Sequence, residues 1–311
     1  MKIVFMGTSD FAVPTLKSLV RNGYMPSLII TQPDRPKGRG RKVLPPPIKA
    51  VALKLNSDLK IIQPESMKGK DCYEQIAKIS PDIFVVVAFG HILKESILNL
   101  ASMGAINVHA SLLPKYRGPA PIQWAILNRE KETGVTTIFM DEGLDTGNII
   151  YMVKTEIFSD DTSASLHDRL SILGADLLIK TLKGVENNKL KPISQNHKQA
   201  SYAPLLKKKD GLINWNSSAK SLEAFIRGMN PWPGAFTFLR DKRLKIFKSK
   251  IVSKEEYRSP GTIIKRTFDK LLVSTKKGVI SILEVQSASG KKLKIKDFLA
   301  GSSMEEGMIL K

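Results

Sequence analysis

IFVVVAF, residues 83–89, is the stretch on which the fold turns. Seven apolar residues run without alternation, and three of them are consecutive valines. A strand with one wet face alternates polar and apolar positions; a strand covered on both faces does not. The run is too short to span a bilayer. It predicts a central parallel strand of an open sheet with helices on both sides.

The neighbouring segments fit that frame. KIVFMG (2–7), SLIIT (27–31), IIQ (61–63), AINVHA (105–110), VTTIFM (135–140) and IIYMVKTEIF (149–158) read as further strands. Between them, helical stretches are expected from Ser9 or Asp10 to Asn22, over IKAVALKLN (48–56), near 71–79 and near 120–128. Residues 163–183 place Leu166, Leu170, Leu173, Leu177 and Leu178 at helical spacing. The alternation predicts an α/β domain with a Rossmann-like, largely parallel sheet over 1–185, whose ligands bind beyond the carboxyl ends of the strands. Residues 186–205 are polar and aperiodic and read as a linker. From 206 to 311 a helix (218–229) and the turn NPWPGA precede short strands: AFTFL, LKIFKSKIV, GTIIKRT, LLVST, VISILEV and KLKIKDFL. These predict a small β-barrel of the OB-like kind.

Composition bounds the function. The 311 residues carry 49 Lys and Arg against 29 Asp and Glu, a net charge of +20. Residues 206–311 hold 23 basic and 10 acidic residues, so this third of the chain carries +13 of the excess. Such an imbalance points to a polyanionic partner. One cysteine, Cys72, excludes an internal disulfide framework and a thiolate zinc site, and fits a reducing, cytoplasmic setting. No signal peptide or membrane segment is expected.

Chemistry concentrates at two places. In NVHASLLPKYRGPAPI (107–122), Asn107 and His109 stand two residues apart at the end of an apolar strand, on the same side of it. A stiff loop framed by prolines follows. In MDEGLDTGNI (140–149), Asp141, Glu142 and Asp145 sit in a glycine-flanked turn between two apolar strands. That turn reads equally as a solvated acidic connection. A third stretch, DRPKGRGRK (34–42), spaces Arg35, Lys37, Arg39, Arg41 and Lys42 with glycine and proline. It lacks the spacing and terminal Lys-Ser/Thr of a phosphate-binding P-loop. It is expected to be a long structureless loop, of the kind that is often functional.

Asn107, His109, SLLPKYRGPAPI and Asp145 within DEGLDTG resemble the motifs of the folate-dependent formyltransferases, in order and spacing. GTSDFAVPTL, TQPDRPKGRGRK, KKDGLINW and NPWPGAF resemble the members that act on charged tRNA rather than the shorter purine-pathway member. The resemblance implies transfer of a formyl group from 10-formyltetrahydrofolate to the α-amine of initiator methionyl-tRNA, without a metal. It implies Asn107, His109 and Asp145 as catalytic residues. It implies folate contacts from Ser111, Leu112, Leu113 and Pro114, with Phe89, Gly90, His91 and Ile92 flanking the pteridine. His91 is read as a local hydrogen-bonding residue rather than a second base. The basic 34–42 stretch resembles a wedge for the tRNA acceptor stem, and the basic barrel a platform for the tRNA body. A monomer is expected. Competing readings are a formyltransferase for an amino-sugar nucleotide, a nucleic-acid-binding protein with a decayed catalytic domain, and a hydrolase of formyl-folate. The basic 34–42 stretch and the +13 tail speak against the first, and the intact Asn107, His109 and Asp145 set against the second.

Overall fold

The structure, a computed structural model, describes residues 1–37, 40, 42–253 and 258–311. Contacts divide the chain into two units. One comprises Met1–Pro121, Glu132–Glu156 and His167–Ala203; the other comprises Ile122–Lys131, Ile157–Leu166 and Pro204–Lys311.

In chain order, β1 (Ile3–Gly7), α1 (Val13–Arg21), β2 (Leu28–Ile30), β3 (Arg35–Lys37) and β4 (Lys42–Leu44) come first. They are followed by α2 (Pro47–Leu55), β5 (Ile61–Ile62), α3 (Lys70–Ala77), β6 (Ile83–Val87), α4 (Glu95–Leu98) and β7 (Ala105–His109). Next come α5 (Pro121–Leu127), β8 (Glu132–Phe139), β9 (Ile149–Glu156) and α6 (Ser163–Glu186). The main sheet has the order β5-β2-β1-β6-β7-β8-β9. The first five strands in that order are parallel, as the sequence predicts. β8 then runs antiparallel to both β7 and β9, and its connection to β9 is a short turn of the kind that only antiparallel strands allow.

The valine run becomes β6, buried along its whole length. On one face Val4, Met6, Phe84 and Val86 pack with Cys72 and Ile76 of α3. Each such side chain contributes roughly 1.5–3 kcal/mol on removal from water. The row continues along β7 as Ala105, Asn107 and His109, so the apolar face turns polar at the carboxyl end of that strand. The alternate residue Val108 faces α6, where a Cβ on Gly174 would lie 2.9 Å from Val108 Cγ1.

Two local expectations change. Neither Ser9 nor Asp10 caps α1: a 3-10 turn (Asp10–Ala12) intervenes without a side-chain cap bond, and α1 starts at Val13 with Pro14 in its first turn. The stretch 32–47 is not structureless: β3 and β4 pair antiparallel, Arg35 opposite Leu44 and Lys37 opposite Lys42. Three residues a side are too few to show a period in the sequence.

The other unit holds α7 (Ala219–Gly228), whose N-cap Ser218 accepts a hydrogen bond from Ser221 N. An antiparallel sheet follows, built from β10 (Phe236–Leu239), β11 (Lys242–Ser253), β12 (Ile263–Arg266), β13 (Leu271–Ser274), β14 (Val279–Ser287) and β15 (Leu293–Lys294), with α8 (Ile295–Leu299) after it. The order is β10-β11-β14-β13-β12, with β15 on β14. KLKIKDFL, expected as a strand, thus gives two strand residues and a helical turn. The sheet curls until residues 307–311 fit between its edges. Leu310 N bonds Gly261 O, and Lys311 exchanges both backbone bonds with Phe238. Trp215 Nε1 donates to Thr237 Oγ1, which donates to Lys311 O and anchors the seam. Among the described residues no helix is long and apolar enough to cross a membrane.

Candidate active site

The carboxyl end of β7 brings Asn107, His109 and Asp145 together. Asp145 comes from the turn between β8 and β9. Its Oδ1 accepts from Asn107 Nδ2 at 3.1 Å, and its Oδ2 accepts from Gly118 N at 2.8 Å. His109 Nδ1 lies 3.5 Å from the same Oδ2, and the two side chains are only 6% and 11% exposed. His109 Nε2 meets the Tyr116 carbonyl at 2.9 Å. Both ring nitrogens therefore face acceptors.

The turn itself separates the acids by role. Asp141 Oδ1 accepts from Gly143 N and Thr146 Oγ1, which closes the turn, whereas Asp145 points into the cluster. Gly147 is required because a Cβ there would collide with the Phe139 carbonyl oxygen. Asp145 itself sits at φ 55, in the left-handed region, which aspartate visits more readily than most residues that carry a Cβ.

The proline-framed loop is stitched down at both ends. Thr136 Oγ1 donates to Ser111 O and accepts from Leu113 N, while Ser111 Oγ donates to Lys115 O. Ser111 and Leu113 are buried; Leu112 and Pro114 are partly exposed. At the far end Arg117 N bonds Ser201 O and Ala203 N bonds Arg117 O. Gly118 at φ 112 leaves room for that strap, since a Cβ would lie 3.0 Å from Ala203 O.

The segment after β6 lies beside the cluster, because Val86 is the register partner of Asn107. The buried Phe89 offers its carbonyl to Thr8 Oγ1 at 2.9 Å and Gln32 Nε2 at 3.2 Å. Gly90 and Ile92 are exposed, Ile92 strongly so. His91 departs from expectation. Its ring stands edge-on to Phe89 at 5.1 Å, and its buried Nε2 has no hydrogen-bond partner among the described residues.

The basic stretch stands on a polar base. Lys49 Nζ contacts both oxygens of Asp34 and Gln63 Oε1, and Gln63 Nε2 donates to Asp34 Oδ1 and Gln32 O. The Gln63 amide and then the Lys49 ammonium hold the Asp34 carboxyl below its usual range. Above the base, Arg35 pairs with Glu65 at 2.7 Å and remains 63% exposed. Lys37 and Lys42 are backbone partners, and Lys42 is exposed. Arg39 and Arg41 lie outside the described residues.

Sequence reading misses three contributors. Gln195, in the segment expected as a linker, donates to the carbonyls of Asp145 and Gly147 and accepts from Arg117. Ser201 Oγ accepts from Tyr116 N. Arg117 reads as a basic loop residue yet is 2% exposed. Polar, aperiodic sequence carries no signal for such contacts. Cys72 is buried against Met67, and burial pushes its thiol up, so it offers no thiolate nucleophile.

Comparison with known proteins accords with this geometry. Residues 1–182 match the family described as formyl transferase, and residues 205–303 match the formyl transferase C-terminal domain. A methionyl-tRNA formyltransferase of Caldanaerobacter subterraneus is 46% identical over 312 residues, covering 100% of both chains. One from Pelotomaculum thermopropionicum is 47% identical over 311 residues, covering 100% of this chain and 98% of its own. Among solved structures, the sugar 3N-formyl transferase WlaRD, determined with dTDP and 5-N-formyl-THF, shares the fold. Its TM-score is 0.65 at 23% identity, over 94% of this chain and 99% of that one. HypX from Aquifex aeolicus, in complex with tetrahydrofolic acid, gives a TM-score of 0.63 at 15% identity, over 100% of this chain and 50% of that one. With both family domains matched in order along it, the chain belongs to the formyl transferase family.

Proposed function

We propose that the protein transfers the formyl group of 10-formyltetrahydrofolate to the α-amine of initiator methionyl-tRNA. The observation that carries the reaction is the Asp145 carboxylate, which meets the Asn107 amide, the Gly118 N–H and the His109 ring at the end of β7. The amine attacks the formyl carbon and forms a tetrahedral oxyanion. Asn107 has a second amide hydrogen with which to stabilise that charge, and the His109 ring holds the Asp145 carboxylate beside it. Asp145 takes the proton that the amine must lose. The departing folate nitrogen takes a proton back, so the groups return to their starting state. This acyl transfer needs neither a metal nor a covalent enzyme intermediate.

Ser111, Leu112, Leu113 and Pro114 are proposed to line the folate site, with Phe89, Gly90, His91 and Ile92 against the pteridine. A loop already fixed by Thr136 and the 201–203 strap grips a flat ring without ordering cost. Arg35, Lys37, Arg39, Arg41 and Lys42 are proposed to meet the acceptor stem, and the basic 206–311 part to hold the tRNA body. Residues 1–185 would then do the chemistry, with 186–205 joining the two functions, in a cytoplasmic monomer.

Single-turnover formylation of charged initiator and charged elongator methionine tRNA tests the reading. Transfer that needs 10-formyltetrahydrofolate and favours the initiator supports it. Release of formate without an acceptor, or transfer to an amino-sugar nucleotide but not to tRNA, would overturn it.

A further inference from the structure

We propose that Gln195 is a positioning residue for formyl transfer. Its amide, oriented by the buried Arg117, clamps the main chain at Asp145 and Gly147 and so fixes the Asp145 carboxylate where it meets Asn107, His109 and Gly118. The proposal rests on the reading of Asp145 as part of the reacting site.

The amide of Gln195 is fully used. Its Oε1 accepts from Arg117 Nη2 at 2.6 Å and Nε at 3.1 Å. Its Nε2 donates to Asp145 O and Gly147 O, each at 2.8 Å. Turning the amide over would set N–H against guanidinium and oxygen against two carbonyls, so only one orientation is satisfied. Arg117, the largest fully buried side chain, also meets His197 Nδ1 at 3.3 Å. The clamp bears on the main chain of a residue in the left-handed conformation, at φ 55.

The clamp closes a ring of contacts. Tyr116 gives its carbonyl to His109, Arg117 gives its side chain to Gln195, and Gly118 gives its N–H to the Asp145 carboxylate. Three consecutive residues thus hold the imidazole, the clamp and the carboxylate. The charged and titratable groups within this ring are His109, Asp145, Arg117 and His197.

Gln195→Glu separates positioning from folding. The carboxylate still accepts from Arg117, more strongly than an amide does, but it cannot donate to the two carbonyls. Expected are a protein that still folds, a kcat lower by about 10–100-fold, and KM values for folate and tRNA within about twofold of wild type. In an Asp145→Asn background, followed by single turnover, Gln195→Glu should cost little more, because it acts through that carboxylate. If the Glu variant does not fold, the pair Gln195→Leu with Arg117→Met removes both partners at once and should show the same fall in kcat. A folded variant with wild-type kcat overturns the proposal, as does an equal loss in both backgrounds. If Asp145→Asn alone is fully active, the reading of Asp145 fails instead.

Discussion

Residues 107–118 and residues 32–47 look alike in sequence: both mix proline, glycine, lysine and arginine between apolar segments. Their structures are opposites. In the first, Arg117 is buried at 2% exposure and bonded to Gln195; in the second, Arg35 is 63% exposed beside Glu65. The difference is the supply of acceptors. Buried amide, carbonyl and hydroxyl groups of residues 136, 195 and 201–203 surround the first loop and make one conformation of it. The second has polar partners at its base, at Asp34, Lys49 and Gln63, and an exposed ion pair of Arg35 with Glu65. A fixed loop suits small-molecule chemistry, whereas exposed basic side chains suit a large polyanion.

The contrast is broken most severely at the cluster. His109→Ala and Asp145→Asn are each expected to lower kcat by about 10²–10⁴ while tRNA affinity holds. Steady-state kinetics beside a binding titration decide it, and near wild-type turnover in either variant sinks the assignment. Next in size, Arg117→Ala should destabilise the fold by roughly 2–4 kcal/mol, because Gln195 loses charged donors inside the protein. Arg35→Ala should stay within about 0.5 kcal/mol. Urea melts of the two variants giving equal losses would erase the comparison.

The exposed finger should instead reveal itself through salt. Arg35→Ala combined with Lys42→Ala is expected to flatten the dependence of log Kd for tRNA on log salt by about 1.4–1.8, with Tm unchanged. An unaltered slope would mean that neither side chain meets a phosphate. The smallest effect concerns the base. The Asp34 carboxyl is held below its usual range, so its contribution is present above the ordinary carboxylate value and lost as pH falls through the lowered one. Wild type should therefore melt above Asp34→Asn at about pH 6, with the gap closing towards about pH 2. A gap that ignores pH would assign Asp34 a role other than this ion pair.

The sheet was legible because burial on two faces writes itself as an unbroken apolar run, as in 83–87. Asn107 and His109 were legible from parity on a strand, and Asp145 from its place between two strands. Three features were not. The reversed direction of β8 leaves no mark in strand composition. The β3–β4 pair is too short for periodicity to register. The hold of Gln195 on Asp145 joins residues fifty apart through hydrogen bonds, which leave no pattern in a single chain. Unit membership is equally hidden: Ser163 Oγ bonds the Gly228 carbonyl, and Arg227 bonds Asp161 O, across more than sixty residues.

The seam at residues 307–311 decides how this protein behaves among its own copies. An open antiparallel sheet presents two rows of unsatisfied N–H and C=O groups, which are templates for pairing with any passing strand. Here one short segment covers both rows at once, through Gly261 and Ile263 on one side and Phe238 on the other. Without it, the edges at Phe238 and Ile263 would be open to strands of other copies. Five residues thus close the sheet against pairing with its own kind.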